Sequence, residues 1–562
     1  MKLKWIYYNT NEEKVKEIQT KYNINSLLAT ILVNREIEDI QTYLEPTRHD
    51  FHNPYEMPDM EKAVERIIKA IENKEKIIIF GDYDVDGITS ITVLKSFFKD
   101  LGIEVGEYIP NRLNEGYGLN KEAIKKISND NYDLMITVDC GITGIEEVEY
   151  AKSLGIETII TDHHEPTEDL PKAIAVVDCK RKDNNYPFRE LAGVGVSFKL
   201  CQALSQRLNL DEKAYLKYLD IVALGTISDI VPLKDENRVI TKLGLMLLKQ
   251  TKNCGLISLL NMAGYRKIDS TAISFGIAPR INACGRMGFA EEALDLLLAN
   301  SMRDANEKAR NIVKYNNDRQ EYEKRIYDEA VKQIEDNNLE NVNSIVLGGD
   351  GWHHGVVGIV ASKITDLYYK PCLLICFEDG NEIGKGSGRS ITGFDLHEAL
   401  SKCKDYLEGF GGHSMAVGLS IKRENLARLK TEFESIARNS HIEDKYPTIN
   451  IDCVFDIDEI SKEMVKSLEL LEPIGEGNKT PTFVFKNLKI DSIRALTEGK
   501  HLKLTLKSNK NTYINAIGFN LGYLADEYII GDRVDVAGSL EINSFNGTDS
   551  IQINLKDMMK TI

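Results

Sequence analysis

The apolar and polar positions of this chain follow different periods in different stretches. In "KEKIIIFGDYDVDGITSITVLKSFFKDLG" an unbroken apolar run enters a polar turn containing glycine and then an amphipathic helical pattern. The unit recurs. "YDLMITVDCGIT" ends an apolar run at Asp139 before the helical "GIEEVEYAKSLG", "IETIITDHH" is a third run and "AIAVVD" a fourth. Continuous apolar strands alternating with helices predict an α/β domain with a parallel sheet covered on both faces. In such sheets ligands bind beyond the carboxyl ends of the strands.

Further on, "DANEKARNIVKYNNDRQEYEKRIYDEAVKQIEDNN" is charged and free of Pro and Gly, which predicts one long helix of about 50 Å. Its apolar positions are too sparse for sustained heptads, so it reads as a connector between lobes. A second α/β region follows in "NSIVLGGDGWHHGVVGIVASKI", "PCLLICF", "GKGSGRS" and "EGFGGHSMAVGLSI". From about residue 445 the period becomes two. "HLKLTLKS" alternates Leu502, Leu504 and Leu506 with His501, Lys503 and Thr505, and "RVDVAGSLEINSFNGTDSIQINL" reads as two strands joined by an Asn-Gly turn. About five such strands predict a small barrel of the OB type, suited to single-stranded nucleic acid, with a purely structural β-domain as the alternative. The first 70 or so residues read as helical and peripheral.

Composition narrows this picture a little. The 562 residues suit roughly three or four domains, and 42% hydrophobic with 28% charged residues is ordinary for a globular protein. No apolar run approaches the roughly 18 residues of a membrane span, and the opening "MKLKWIYYNTNEEK" is unlike a secretory signal, so a cytoplasmic location is expected. The nine cysteines form no CxxC pair and read as buried thiols. A net charge of −17 argues mildly against a nucleic-acid partner. Carboxylates neutralised by divalent ions, or a basic groove within acidic outer faces, would remove that objection.

The candidate chemistry lies at the strand ends. Asp82, Asp84 and Asp86 follow the first strand, Asp139 the second, and Asp162, His163 and His164 the third, while Asp229 ends the apolar stretch of "VALGTISDIVPL". Carboxylates gathered at one edge repel one another unless cations lie between them. Helix capping accounts for one or two of them, not for three in "DYDVD" beside paired histidines. Oxygen ligands with imidazole and no thiolate suit Mn²⁺ or Mg²⁺. The ligands outnumber what one ion can use, so two ions are expected, with metal-assisted hydrolysis of a phosphate ester or anhydride as the chemistry. In the second α/β region, glycines beside Ser387, Arg389 and His413 predict a phosphate-binding lobe.

With these motifs, the chain resembles the DHH phosphoesterase superfamily, and within it the single-strand-specific 5′-to-3′ DNA exonucleases. "GDYDVDG", "VDCG", "DHH" and "ALGTISDIVPL" resemble the superfamily motifs. "GWHHGVVGIVASKI", "GSGRS" and "FGGHSMAVG" resemble the DHH-associated C-terminal domain, and "IPNRLNEGYGL", "APRINACGRMG" and "LEPIGEGNKTPTF" resemble the exonuclease branch. Departures are few: Val417, Lys363, Asp178-Cys179, and Lys479 with Thr480.

The resemblance implies an N-terminal helical segment at 1–70, a parallel-sheet DHH domain at 71–303 and a connecting helix at 304–340. A DHH-associated domain at 341–440 and an OB-like nucleic-acid-binding barrel at 441–562 would follow. It implies a metal-dependent exonuclease that hydrolyses single-stranded DNA to mononucleotides in DNA repair and recombination. Asp82, Asp84, Asp86, Asp139, His163 and Asp229 would hold two Mn²⁺ or Mg²⁺ ions, with Asp139 as the bridge, and His164 would donate to the developing phosphorane charge. Asp84, Asp86, Asp139, His163, His164 and Asp229 form the expected catalytic set.

Substrate contacts are expected from Asn111, Arg112, Arg280, Asn282, Arg286, Ser387, Gly388, Arg389, Gly412 and His413. His353 and His354 read as loop polar groups, and Tyr83 and Tyr117 as packing or base-stacking residues. The implied partners are single-stranded DNA, a helicase and a single-strand-binding protein, with no membrane and a monomeric chain. The alternatives are a phosphodiesterase for short oligonucleotides or cyclic dinucleotides, and a non-catalytic DNA-binding scaffold.

Overall fold

The computed structural model describes residues 3–265, 267–378, 380–442, 446–545 and 548–561. The chain falls into two compact units, Phe51–Lys445 and Met1–Asp50 with Tyr446–Ile562. Among the described residues no helix is long and apolar enough to cross a membrane, and all nine cysteines are free thiols.

The larger unit begins with the predicted parallel sheet. Its strands β1 (Ile77–Gly81), β2 (Gly106–Tyr108), β3 (Leu134–Val138), β4 (Glu157–Asp162) and β5 (Ala175–Asp178) lie in the order β2-β1-β3-β4-β5, and every pairing is parallel. Alternate residues serve two cores. Ile77 and Ile79 of β1 join Leu134, Ile136 and Val138 on one face, while Ile78 and Phe80 join Met135 on the other. Burial on both sides is why these strands read as unbroken apolar runs. Helices α1 (Val85–Asp100), α2 (Gly193–Arg207), α3 (Leu219–Ser228) and α4 (Ala278–Met287) belong to the same domain.

The long helix is α5 (Met302–Asp336), 35 residues capped by the Ser301 side chain, so it starts and ends slightly before the expected span. Behind it, β6 (Ile345–Asp350), α6 (His354–Tyr368), β7 (Cys372–Phe377), β8 (Ile383–Arg389), β9 (Gly409–Gly412) and β10 (Ala416–Lys422) form a second α/β lobe. Its sheet order is β9-β10-β8-β7-β6, with only the β6–β7 pairing parallel.

The smaller unit is the barrel, with β11 (Cys453–Val454), β12 (Phe483–Leu496), β13 (His501–Lys507), β14 (Tyr513–Gly518), β15 (Arg533–Phe545) and β16 (Thr548–Lys560). The order β11-β12-β13-β14-β16-β15 closes through a β12–β15 pairing. Leu502, Leu504 and Leu506 point inward with no exposure, as their alternation predicts. The predicted Asn-Gly turn at 546 and 547 lies outside the described residues.

One difference from the sequence reading concerns the N-terminus. The expected 1–70 segment is not a separate peripheral one: of its described residues, those up to Asp50 pack with the barrel and those from Phe51 onward belong to the larger unit. The helix Ser26–Asn34 is apolar nearly all round, and its Leu27, Leu28, Ile31 and Leu32 share the barrel core with Phe483 and Phe485. Polar contacts fix the join: Arg35 Nε reaches Asp452 at 2.8 Å, and the Tyr43 hydroxyl donates to Asn478 Oδ1 at 2.8 Å.

Candidate active site

The parallel sheet delivers its polar residues to one edge, and helix starts then hold them. Asp84 caps α1, its Oδ1 accepting from Asp86 N at 2.9 Å and Gly87 N at 3.1 Å. The carboxylate of Asp86 is gripped by the start of α2, from Gly193 N at 2.6 Å and Val194 N at 2.8 Å. Position 193 is glycine because a Cβ there would lie 2.7 Å from the Asp139 Cβ. Asp139 itself takes a left-handed φ of 57° immediately after β3. Asp162 is not free to bind anything else: its Oδ1 accepts from His163 N, His164 N and His164 Nδ1, and its Oδ2 from Ile142 N at 2.9 Å. It holds the backbone of both histidines and orients the ring of His164.

Around His163 the groups converge. Its Nε2 lies 3.1 Å from Asp139 Oδ1, 3.6 Å from Asp229 Oδ2 and 3.7 Å from Asp86 Oδ2. Ligand atoms of Asp86, His163 and Asp229 lie within 4.8 Å of one another, as do those of Asp82, Asp84 and Asp139, and those of Asp139, His163 and His164. Asp139 belongs to two of the three groups, the position a bridging carboxylate requires. Asp229 comes from the C-terminal end of α3, not from the sheet.

The electrostatics are those of a site built for cations. Burial, with Asp84 as the next cause, pushes the Asp86 carboxyl up to about 7. Burial and neighbouring carboxylates hold Asp82, Asp139 and Asp229 well above the usual carboxylate range. Burial, then His164, lowers His163 to about 3, so its ring is neutral and can offer a lone pair. Burial pulls His164 down, but its bond to Asp162 outweighs this and raises it. Asp82 Oδ1 and His163 Nε2 are buried without hydrogen-bond partners. Orphaned acceptors in such a carboxylate cluster fit hard divalent ions.

A cation cluster adjoins this edge. The Arg112 guanidinium lies over the Tyr83 ring at 5.0 Å. Arg286 Nη1 donates to Gly355 O at 3.1 Å, joining α4 to the start of α6. Burial, then Arg112, Arg319 and Arg389, lowers Arg286 to about 9. Arg389 Nη1 donates to Ser387 Oγ at 3.0 Å and to Gly388 O at 2.7 Å, and its pKa is lowered by burial and Arg112. Among the described residues no carboxylate forms an ion pair with Arg112, Arg286, Arg389 or Lys385. A group of cations without counter-ions, in a chain of net charge −17, has the chemistry to hold an anion.

The other expected substrate contacts are placed less uniformly. Asn282 Oδ1 accepts from Val85 N at 3.3 Å and so braces the start of α1. Asn111 is occupied by protein contacts, donating to Gly288 O beyond the end of α4 at 3.3 Å and accepting from Leu113 N in its own loop at 3.0 Å. Arg280 donates to Gly276 O and leaves its Nε without a partner. A side chain at Gly388 would point away from Ser387 and Arg389, into Leu373, Val417 and Leu396, so glycine is required there for packing. Gly412 ends β9 and His413 begins the exposed turn after it, where His413 N donates to Ala416 O at 2.8 Å.

Two further residues adjoin the cation cluster, one of them a neutral imidazole. Lys385 follows the period-two alternation of β8 with Ser387 and Arg389, a signal the sequence carried. Burial, then Lys385 and Arg112, lowers His354 to about 4, and its Nδ1 is buried without a partner. His353, by contrast, is the cap of α6, its side chain accepting from Gly355 N.

Comparison with known proteins agrees with this layout. Residues 76–226 match the N-terminal domain of the DHH family, 341–439 the DHHA1 domain and 451–557 the RecJ OB domain. Over 99% of its length the chain is 39% identical to the single-stranded-DNA-specific exonuclease RecJ of Bacillus subtilis (strain 168), covering 71% of that protein. It is 32% identical to the protein of the same name from Escherichia coli (strain K12), over 89% of this chain and 90% of that one. A crystal structure of RecJ in complex with Mn²⁺ from Thermus thermophilus aligns with a TM-score of 0.86 and 29% identity, over 100% of this chain and 80% of that one.

Proposed function

The chain belongs to the RecJ family, and from that premise we propose that it is a metal-dependent exonuclease specific for single-stranded DNA. Three carboxylates converging on a partnerless His163 Nε2, beside cations that lack carboxylates, are the observation that carries this reading.

Asp82, Asp84, Asp86, Asp139, His163 and Asp229 would hold Mn²⁺ or Mg²⁺, and the size of the donor set suits two ions. Bound there, such ions acidify water and neutralise phosphoryl oxygens. The protein's own groups do the rest. The α2 N-terminus fixes Asp86, Asp162 sets the ring orientation of His164 and holds the backbone of His163, and the raised pKa of His164 favours a proton beside the reacting phosphate. Arg389, Ser387, Arg286 and Arg112 grip phosphate oxygens at the 5′ end of the strand, in an already charged and desolvated pocket that needs little rearrangement. His354 and Lys385 extend that grip. Arg280 and His413 are assigned to backbone phosphates further along.

The reaction would proceed 5′ to 3′, releasing mononucleotides, with the barrel retaining the strand. In the cell a helicase would supply single strands and a single-strand-binding protein would present them, during DNA repair and recombination, to a monomeric cytoplasmic enzyme. The test offers 5′-labelled and 3′-labelled single strands and blunt duplex, with and without Mn²⁺. Labelled mononucleotide is expected at once from the 5′-labelled single strand and only with metal. Equal digestion of duplex, or digestion in EDTA, would overturn the reading.

A further inference from the structure

Tyr83 and Tyr117 both stand beside the site, and the structure separates their roles. Tyr83 is 8% exposed and its ring is covered by Arg112. Tyr117 is 50% exposed. Its hydroxyl lies 3.3 Å from Asp139 O and 3.2 Å from His164 Nδ1, and its ring meets the His164 imidazole edge to face at 5.6 Å. The hydroxyl donates to Asp139 O. One end of the ring is therefore pinned at the reacting centre while much of its surface stays open.

The surrounding chain keeps it so. Gly116 and Gly118 hold φ of 82° and 80°, where side chains are strained, and a Cβ on either would meet nothing within 4 Å. The base of the loop is anchored by Glu115, which accepts from Asn111 N at 2.6 Å and from the Tyr108 hydroxyl at 2.7 Å. A fixed stem thus carries an aromatic ring between two residues that have no side chains.

We propose that Tyr117 is the platform on which the base of the terminal nucleotide stacks while its phosphodiester lies at the carboxylate–histidine centre. This rests on the exonuclease reading and adds a contact outside the phosphate grip. An aromatic face accepts all four bases, since each has a π-face, and so suits a nuclease that must not discriminate by sequence. The hydroxyl sets the ring's tilt, and stacking sets where the strand end stops.

The test uses the full-length protein and 5′-phosphorylated single strands that begin with either thymidine or an abasic tetrahydrofuran. KM and kcat for release of the first residue are measured in Mn²⁺, and equilibrium binding of the same strands is measured in EDTA. Wild type is expected to favour the thymidine end in KM by about tenfold, the order of one lost base stack. Tyr117→Ala is expected to abolish that preference by weakening only the thymidine-ended strand, and Tyr117→Phe to keep it. A wild-type protein that digests both strands with equal KM overturns the platform while leaving the exonuclease reading intact. So does a folded Tyr117→Ala protein that retains the preference. A wild-type protein that digests neither strand removes the exonuclease reading instead.

Discussion

The carboxylate centre at the sheet edge and the cation cluster beside it are strained in opposite senses. In the first, burial and mutual repulsion raise Asp82, Asp86, Asp139 and Asp229, so the isolated protein resists having all of them charged. In the second, burial and mutual repulsion lower Arg286, Arg389 and His354. Neither group is neutralised by the other: Arg112 lowers Asp82 and Asp84 raises Arg286, but burial and like charges outrank both effects. Divalent ions satisfy one side and phosphates the other, and a metal-bound nucleic-acid strand supplies both. The net charge of −17 therefore says little about the partner, because the charges that matter are sorted into two separate clusters.

The largest break in that comparison should come from the acidic side. Asp139→Ala removes the carboxylate shared by two ligand groups, and kcat on single-stranded DNA in Mn²⁺ should fall at least about a thousandfold with the fold intact by circular dichroism. Normal turnover in that variant would sink the assignment. On the basic side, Arg389→Ala should raise KM about a hundredfold, roughly 3 kcal/mol, with kcat much less affected. Arg389→Lys keeps the charge but loses the planar fork and should fall between, about tenfold. Steady-state kinetics on 5′-phosphorylated strands would separate the two, and identical lysine and alanine variants would mean the charge plays no part.

How far each region was legible in the sequence follows from how its contacts are made. The acidic centre is built from strand ends, and an apolar run that stops at an aspartate marks such an end locally. The parallel sheet and the barrel were readable for the same reason, through period and turn chemistry. Asp229 was visible as a polar stop but not as a helix end, because α3 is apolar on every side and shows no helical period. The cation cluster was partly legible. Ser387 and Arg389 stand out among glycines, while Lys385, two residues earlier on the same strand face, shows only through the alternation of β8. Gly388, an expected contact, lies on the opposite face, where the alternation of β8 turns it into the core. The burial of the N-terminal helix against the barrel was not legible at all: an apolar helix states that it needs a partner, and nothing in Leu27 or Ile31 says that the partner lies more than 400 residues away.

The opposed strains also predict stability. Raised carboxylates bind protons in the folded state that they release on unfolding, so their contribution is fully present below about pH 4 and is lost as pH rises through about 7, where Asp86 titrates. In EDTA, thermal stability attributable to this centre should therefore decline between those limits. Saturating Mn²⁺ should reverse the decline near neutrality by binding only the folded, deprotonated site. Differential scanning fluorimetry across pH, with and without Mn²⁺, reads this directly. A metal-free melting temperature that rose from pH 5 to 8 in Asp86→Asn and wild type alike would show that the centre does not control it.

The smallest effect is expected on the basic side, with inverted sign. Arg286 lies among Arg112, Arg319 and Arg389 and is lowered to about 9, so its charge costs stability while no phosphate is bound. Arg286→Met keeps the length of the side chain and removes the repulsion, at the cost of one hydrogen bond to Gly355 O. In the absence of DNA, Arg286→Met should raise Tm by about 1–2 °C, while KM for single-stranded DNA rises. A gain in stability coupled to a loss of affinity is the signature of a group kept for its ligand. If Arg286→Met lowered both, the guanidinium would instead be a structural tie between α4 and α6, and the anion site would have to rest on Arg112, Arg389 and Lys385 alone.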